Sequence, residues 1–263
     1  MRKVTSKDGT AIAFDKTGEG PAIILVGGAL SDRSAAVPLT PLLAPRFTVI
    51  AYDRRGRGDS GDTAPYVVER EVEDIHALVK EAGGSAFLYG HSSGAVLALE
   101  AAARGLAITR LALYEPPFII DSNHPPLPKD YVARLNALVA AGRRGDAVEL
   151  FMTAAVGVPA ENIAQMKQSP MWAGMEKVAH TLAYDGIIMG NNMAGRPLQA
   201  KQWASATMPT LVLDGGASPA WAHSATQALT DALPNAQRRT LAGQSHGVNP
   251  ALLAPILIDF FRA

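Results

Sequence analysis

At 263 residues and 48% hydrophobic side chains, the chain is long enough to bury a large core in one α/β domain, with room for an inserted subdomain. Its 24 basic side chains balance 24 acidic ones, so net charge gives no footing for nucleic acid or an anionic membrane as partner. Cysteine is absent, which excludes disulfides and thiolate metal sites and fits a reducing compartment.

The opening MRKVTSKDGT is charged with no apolar segment behind it, unlike a signal peptide. The longest apolar stretches, such as AIILVGGAL (22–30), are too short to span a bilayer. The expectation is a soluble cytoplasmic protein without internal repeats. RKVTSKD and TAIAFDKTG flank Asp8-Gly9 and predict a hairpin. AIILV (22–26) is a continuous apolar run of the kind buried on both faces of a sheet. A helical stretch around 35–44 leads to the strand FTVIAYD (47–53). Then follow a charged helix (67–83), strand AFLYG (86–90), helix GAVLALEAAARG (94–105) and strand RLALYE (110–115). Strands alternating with helices imply parallel order with right-handed crossovers.

From about Phe118 to Ala200 the rhythm breaks into helical stretches near 129–142, 145–156, 160–168 and 171–185. It resumes with strand TLVLDG (210–215), helix 220–233, strand AQRRTLAG (236–243) and a helix from about Pro250 to Arg262. The predicted fold is a mostly parallel sheet of about eight strands flanked by helices. Its core comprises 1–117 and 201–263, and a helical cap, 118–200, is inserted after strand six.

YGHSSGA (89–95) holds Gly90-His91-Ser92-Ser93-Gly94, a G-x-S-x-G between an apolar strand and an alanine-rich helix. The glycines allow a sharp turn that lifts Ser92 over the sheet edge at a helix N-terminus, where a developing oxyanion is favoured. The plainer alternative is a turn that only caps the helix. A serine needs a base, and His246 in LAGQSHGVNP, after the last strand, is the best placed of the six histidines. His91 supports the turn on this reading. His76 and His223 fall in helices, His124 in a proline-rich loop, and His180 in the cap. LYEPPF (113–118) ends an apolar strand on Glu115 with Pro116 and Pro117 behind it. A carboxylate at a buried strand end is costly without a partner.

The elbow, the helical insertion and the late histidine loop together resemble the α/β-hydrolase superfamily over nearly the whole chain. YDRRGRGDS (52–60) resembles a D-x-R-G-x-G-x-S turn of that family; it lacks the Lys-Ser/Thr of a phosphate loop, and its arginines and Asp53 are expected to pair locally. Two departures stand out. The family's usual acid position after strand seven lies in DGGASPAW (214–221), where Ser218 stands in place of Asp. Some members, haloalkane dehalogenases among them, take the acid from the end of strand six, and LALYEPPF resembles that site. The resemblance thus implies Ser92, His246 and Glu115 as a triad, with Asp214 the main rival acid. Serine rather than aspartate at the elbow argues against dehalogenase chemistry. The second departure is Gly27-Gly28 where the family has His-Gly; the implied oxyanion donors are the N–H groups of Ser93 and Ala29.

The cap stretch QSPMWAGMEKVAHTLAYDGIIMGNNM (168–193) is rich in adaptable apolar side chains. Gly28, Trp172 and Trp221 are the candidate substrate contacts, and no positive cluster marks a phosphate or carboxylate subsite. The expected function is cofactor-independent hydrolysis of an ester, thioester, lactone or amide of a small or medium apolar substrate. Alternatives are a lyase, acyl-transfer or perhydrolase enzyme on the same site, or a ligand-binding protein, which the absent Asp at 218 keeps open.

Overall fold

The structure is a computed structural model and describes residues 1–122, 124–199 and 201–263. Asn123 of the proline-rich loop and the cap boundary at Ala200 lie outside the described residues. Period-2 alternation of apolar residues explains how the sheet is buried. In β3 (Ala22–Val26), Ile23 and Leu25 join one core cluster, whereas Ile24 and Val26 join the cluster on the opposite face. In β6 (Ile108–Tyr114), Leu111 and Leu113 face one side, Ala112 and Tyr114 the other. Such strands need helices on both faces.

The remaining strands are β1 (Arg2–Thr5), β2 (Ala11–Thr17), β4 (Thr48–Tyr52), β5 (Ala86–His91), β7 (Thr210–Gly215) and β8 (Ala236–Leu241). They form one eight-stranded sheet in the order β1-β2-β4-β3-β5-β6-β7-β8. The β1–β2 and β2–β4 pairs are antiparallel and all others parallel. The chain order reverses between β3 and β5, the crevice where ligands gather at the carboxyl ends of strands.

Between β5 and β6 runs α3 (Ser93–Ala103), buried almost throughout, as expected of a helix apolar on all sides. α2 (Val68–Glu81) turns Val72, Ile75, Leu78 and Val79 inward at helical spacing. The opposite face is covered by α1 (Thr40–Leu43) and α10 (Pro250–Arg262), with Leu253, Leu257, Phe260 and Phe261 buried. α9 (Ala220–Ala232) links β7 to β8.

The expected helix at 35–44 is instead a 3-10 turn, Arg33–Ala36, followed by the short α1. Pro38 has no N–H to continue a ladder. β6 starts at Ile108 and stops at Tyr114, so Glu115 lies just past it.

The insertion between β6 and β7 contains α4 (Tyr131–Ala140), α5 (Arg144–Leu150), α6 (Ala160–Met166), α7 (Pro170–Lys177) and α8 (Leu182–Met189). Its own apolar cluster includes Tyr131, Leu135, Val148, Trp172 and Leu182. Both ends of the insertion are sewn into the core. Phe118, Ile119, Ile188, Met189 and Met193 join the main cluster, and the backbone closes through Ile119 N–H to Asn192 O (2.8 Å) and Gly195 N–H to Ile119 O (2.8 Å). Among the described residues no helix is long and apolar enough to cross a membrane.

Candidate active site

Neighbouring strand ends deliver the candidate residues to one rim. β3 leads into Gly27-Gly28-Ala29, β5 into Ser92, β6 into Glu115, β7 into Gly215-Ser218, and β8 into the loop bearing His246. Ser92 has φ +57° and ψ −127°, a conformation a non-glycine residue holds only where its surroundings enforce it. Those surroundings are backbone. A Cβ on Gly90 would lie 2.4 Å from Gly94 O, and one on Gly94 would lie 2.3 Å from Val26 O and 2.5 Å from Gly27 O. The spacing of G-x-S-x-G is therefore a clearance requirement between the elbow, its helix and the β3 turn. Gly28 abuts the elbow as well: a Cβ there would sit 3.0 Å from Ser92 Cβ.

Glu115 also has positive φ, +44°, and is 4% exposed. It faces His246. Its Oε2 lies 2.7 Å from His246 Nδ1, and its Oε1 accepts from Gly215 N–H (2.8 Å) and Ser218 Oγ (2.5 Å). Burial pushes the Glu115 carboxyl up, but the bonds from His246, Ser218 and Gly215 outweigh it and hold the group below the usual glutamate range. An ionised carboxylate only accepts, so Nδ1 of His246 carries the proton and Nε2 is left as the basic nitrogen. The His246 side chain is 48% exposed, in contrast to its partner.

The residues just before Ser92 and Glu115 hold the histidine loop. His91 Nε2 donates to His246 O (2.8 Å) and Tyr114 Oη donates to Ser245 O (2.6 Å). The carbonyl acceptor fixes the proton of His91 on Nε2. Burial, then the neighbouring His246, push His91 down to about 4. The ring is therefore neutral at physiological pH.

Asp214 is committed elsewhere. It is fully buried and accepts from Arg238 Nη2 (2.5 Å) and Thr240 Oγ1 (2.7 Å), with His223 Nδ1 at 2.5 Å. Burial raises its pKa, but these partners outweigh that and hold it low. Trp172 packs in the insertion's own cluster, its Nε1 donating to Glu176 Oε1 (2.9 Å). Trp221 meets His124 of the proline-rich loop edge-on, with centroids 5.2 Å apart. Ala29 and Leu30 pack against the apolar cluster of the insertion, so the β3 turn contacts the insertion.

The arginines of the 53–60 turn pair across the fold rather than locally, because fully buried guanidinium groups need partners wherever the fold supplies them. Arg54 is bidentate to Glu71 (2.7 Å and 2.7 Å) and reaches Asp185 (2.8 Å); Arg55 is bidentate to Asp74 (2.7 Å and 2.8 Å); Arg57 also reaches Asp185 (2.7 Å). Asp53 pairs with Arg33, twenty positions upstream, and accepts from Asp59 N–H (2.8 Å). Among the described residues no group of three His, Asp or Glu side chains is placed to hold a metal ion.

Sequence reasoning did not find Ser218 as a donor to Glu115, nor Tyr114 as a holder of the histidine loop. The signal for Tyr114 was its place beside Glu115. Asp185, 131 positions from Arg54, left no signal in the sequence.

Comparison with known proteins agrees with this architecture. The sequence model of the Alpha/beta hydrolase family matches residues 23–255. The chain belongs to that family. An alpha/beta hydrolase from Sphaerobacter thermophilus shares 58% identity, with a TM-score of 0.92 over 99% of this chain and 100% of that one. The 2-(acetamidomethylene)succinate hydrolase of Mesorhizobium japonicum is 28% identical over 94% of this chain and 90% of its own length. An enol-lactonase from Burkholderia xenovorans, 21% identical over the full length of both chains, has the same fold at a TM-score of 0.72.

Proposed function

We propose that the chain is a cofactor-independent serine hydrolase that cleaves an ester-like bond (ester, thioester, lactone or amide) of a small or medium, largely apolar substrate. His246 Nε2 takes the proton of Ser92 as its oxygen attacks the substrate carbonyl. The N–H groups of Ala29 and Ser93 receive the oxyanion. The imidazolium, held by Glu115, returns its proton to the leaving group. Water, deprotonated by His246, then attacks the acyl-enzyme, releases the carboxylic acid and restores Ser92.

The observation that carries this reading is the Glu115–His246 bond at 2.7 Å. On this reading it supplies an ionised acid that Ser218 alone could not, which supports turnover over a ligand-binding protein. Ser218 at the usual acid position serves Glu115 instead. The apolar substrate reading is supported by the apolar side chains of Ala29 and Leu30 at the β3 turn, which pack against the apolar cluster of the insertion. The Mesorhizobium relative acts, by its name, on a succinate derivative. Here the nearby buried arginines already face Glu71 and Asp185, which favours an uncharged acyl group.

The test is turnover of p-nitrophenyl acetate, p-nitrophenyl butyrate, a thioester and a γ-lactone by wild type and Ser92→Ala, with acid release followed by pH-stat. The expected result is stoichiometric acid from at least one ester-like substrate and none above background from Ser92→Ala. Equal rates in both proteins would contradict the role of Ser92.

A further inference from the structure

The β3 turn is gripped from behind by charged groups that the hydrolytic scheme above does not use. Gly28 O accepts from Arg57 Nη1 at 2.5 Å and from Ser31 Oγ at 2.7 Å. Gly27 O lies 3.3 Å from Arg54 Nη1. Gly28 O and the N–H of Ala29 belong to one peptide unit, which is planar and trans, so they point in opposite directions. Whatever fixes the carbonyl therefore aims the N–H. A cation on the carbonyl also polarises the peptide and makes its N–H a better donor.

Both arginines are fully buried, and one carboxylate from the cap holds them in register. Asp185 of α8 places Oδ1 2.8 Å from Arg54 Nη1 and Oδ2 2.7 Å from Arg57 Nη2. Arg54 is anchored on its other side by Glu71. Arg57 makes its one ion pair with Asp185 among the described residues, and its Nε is buried without a partner. The direction of the Arg57 guanidinium thus depends on the cap. The cap is docked here by a second, separate contact: Tyr184 Oη donates to Asp62 Oδ2 (2.7 Å) and its ring stacks on Tyr66 at 3.9 Å.

We propose that Asp185 is a positioning residue through which the cap controls the oxyanion donor: it orients Arg57 and Arg54, which hold the Gly28 and Gly27 carbonyls and thereby aim the Ala29 N–H at the reacting oxygen. The inference rests on the serine-hydrolase reading above. A purely structural ion pair would affect stability alone; this one changes how well the transition state is bound compared with the substrate.

The experiment uses the full chain and p-nitrophenyl butyrate, with wild type, Asp185→Asn, Ser31→Ala and Tyr184→Phe. Each is also titrated with a trifluoromethyl ketone, which forms an oxyanion on Ser92, and with the matching secondary alcohol, which fills the pocket without one. Asp185→Asn is expected to lower kcat by about 10- to 100-fold and Ser31→Ala by about 3- to 10-fold, with KM within about threefold. Trifluoromethyl ketone affinity should fall in parallel while alcohol affinity holds. Tyr184→Phe removes only the separate hydrogen bond to Asp62, keeps the ring stack and the Asp185 ion pairs, and should leave kcat within about twofold. If Asp185→Asn and Ser31→Ala keep kcat within twofold of wild type, or if ketone and alcohol weaken equally, the proposal is overturned. If Asp185→Asn does not fold, Ser31→Ala decides by the same criteria. A wild type that turns over and is labelled at Ser92 while the variants show no change sinks this inference alone. A wild type that does neither sinks the serine-hydrolase reading and this inference together.

Discussion

At position 115 a buried carboxylate accepts hydrogen bonds from a histidine, a serine and a backbone amide. Each donor that is removed leaves a charge less well compensated, and bonds to ionised acceptors are the strong ones. Ser218→Ala should therefore cost about 2 kcal/mol in urea unfolding. Its kcat/KM should fall by less than about tenfold, because Gly215 and His246 still hold the carboxylate. Glu115→Gln should lower kcat/KM by about 10²- to 10⁴-fold, since the imidazolium loses its counter-charge and the tautomer is no longer enforced. Asp214→Asn should leave kcat/KM within about threefold of wild type, its partners being His223, Arg238 and Thr240. That Glu115 needs a partner was legible, because a carboxylate between an apolar strand and two prolines is costly to bury alone. Ser218 was visible only as a missing aspartate, because nothing in a serine codon says which acceptor its hydroxyl will meet.

The elements that build the site were legible where local pattern and tertiary packing agree. Short continuous apolar runs gave β3, β4, β5, β6 and β7, and G-x-S-x-G placed the β5–α3 elbow. The β3 turn is where the two diverge: its role depends on backbone atoms of α3 passing within contact distance, which no local pattern reports. Gly94→Ala is the corresponding test. Its Cβ would meet Val26 O at 2.3 Å and Gly27 O at 2.5 Å, both backbone atoms. It should destabilise by about 3 kcal/mol and displace the β3 turn. Gly174 in α7 is the opposite case, exposed and mid-helix with nothing within 4 Å of a Cβ. Gly174→Ala should raise stability by about 0.5–1 kcal/mol, read as an increased urea midpoint with activity unchanged. The helical insertion was legible as helices, but its division at Lys177 to Leu182 was not. There a 3-10 turn at Ala179–Thr181 reorients the chain so that α8 can present Tyr184 and Asp185 to the core.

Across the whole molecule the eight-stranded order brings together groups that are more than 150 residues apart in sequence, such as the His91 ring and the backbone carbonyl of His246. That juxtaposition makes stability depend on pH in a defined direction. An unfolded histidine takes up its proton near pH 6.5, whereas His91 in the fold does so at about 4, through loss of solvent and the nearby His246. Between those values the unfolded chain binds more protons, so stability must fall as pH is lowered from about 6.5 towards 4. His180, depressed chiefly by burial, acts in the same direction. Below the ordinary carboxylate range a second loss follows, as Glu115, Asp185 and Asp214 are protonated at their lowered values. Urea midpoints measured from pH 7.5 to 4.5 should decline, and less steeply in His91→Gln, which keeps a donor for His246 O. A wild-type midpoint that is flat over this range would contradict the placement of a neutral His91.

The most direct test of the central claim is covalent labelling by a fluorophosphonate probe at neutral pH, with the modified peptide identified by mass spectrometry in wild type, Ser92→Ala, Glu115→Gln and Asp214→Asn. The predicted result is a single adduct on Ser92, absent in Ser92→Ala, formed much more slowly in Glu115→Gln and at the wild-type rate in Asp214→Asn. An adduct elsewhere, no adduct at all, or a loss that follows Asp214 rather than Glu115 would contradict the Ser92–His246–Glu115 assignment.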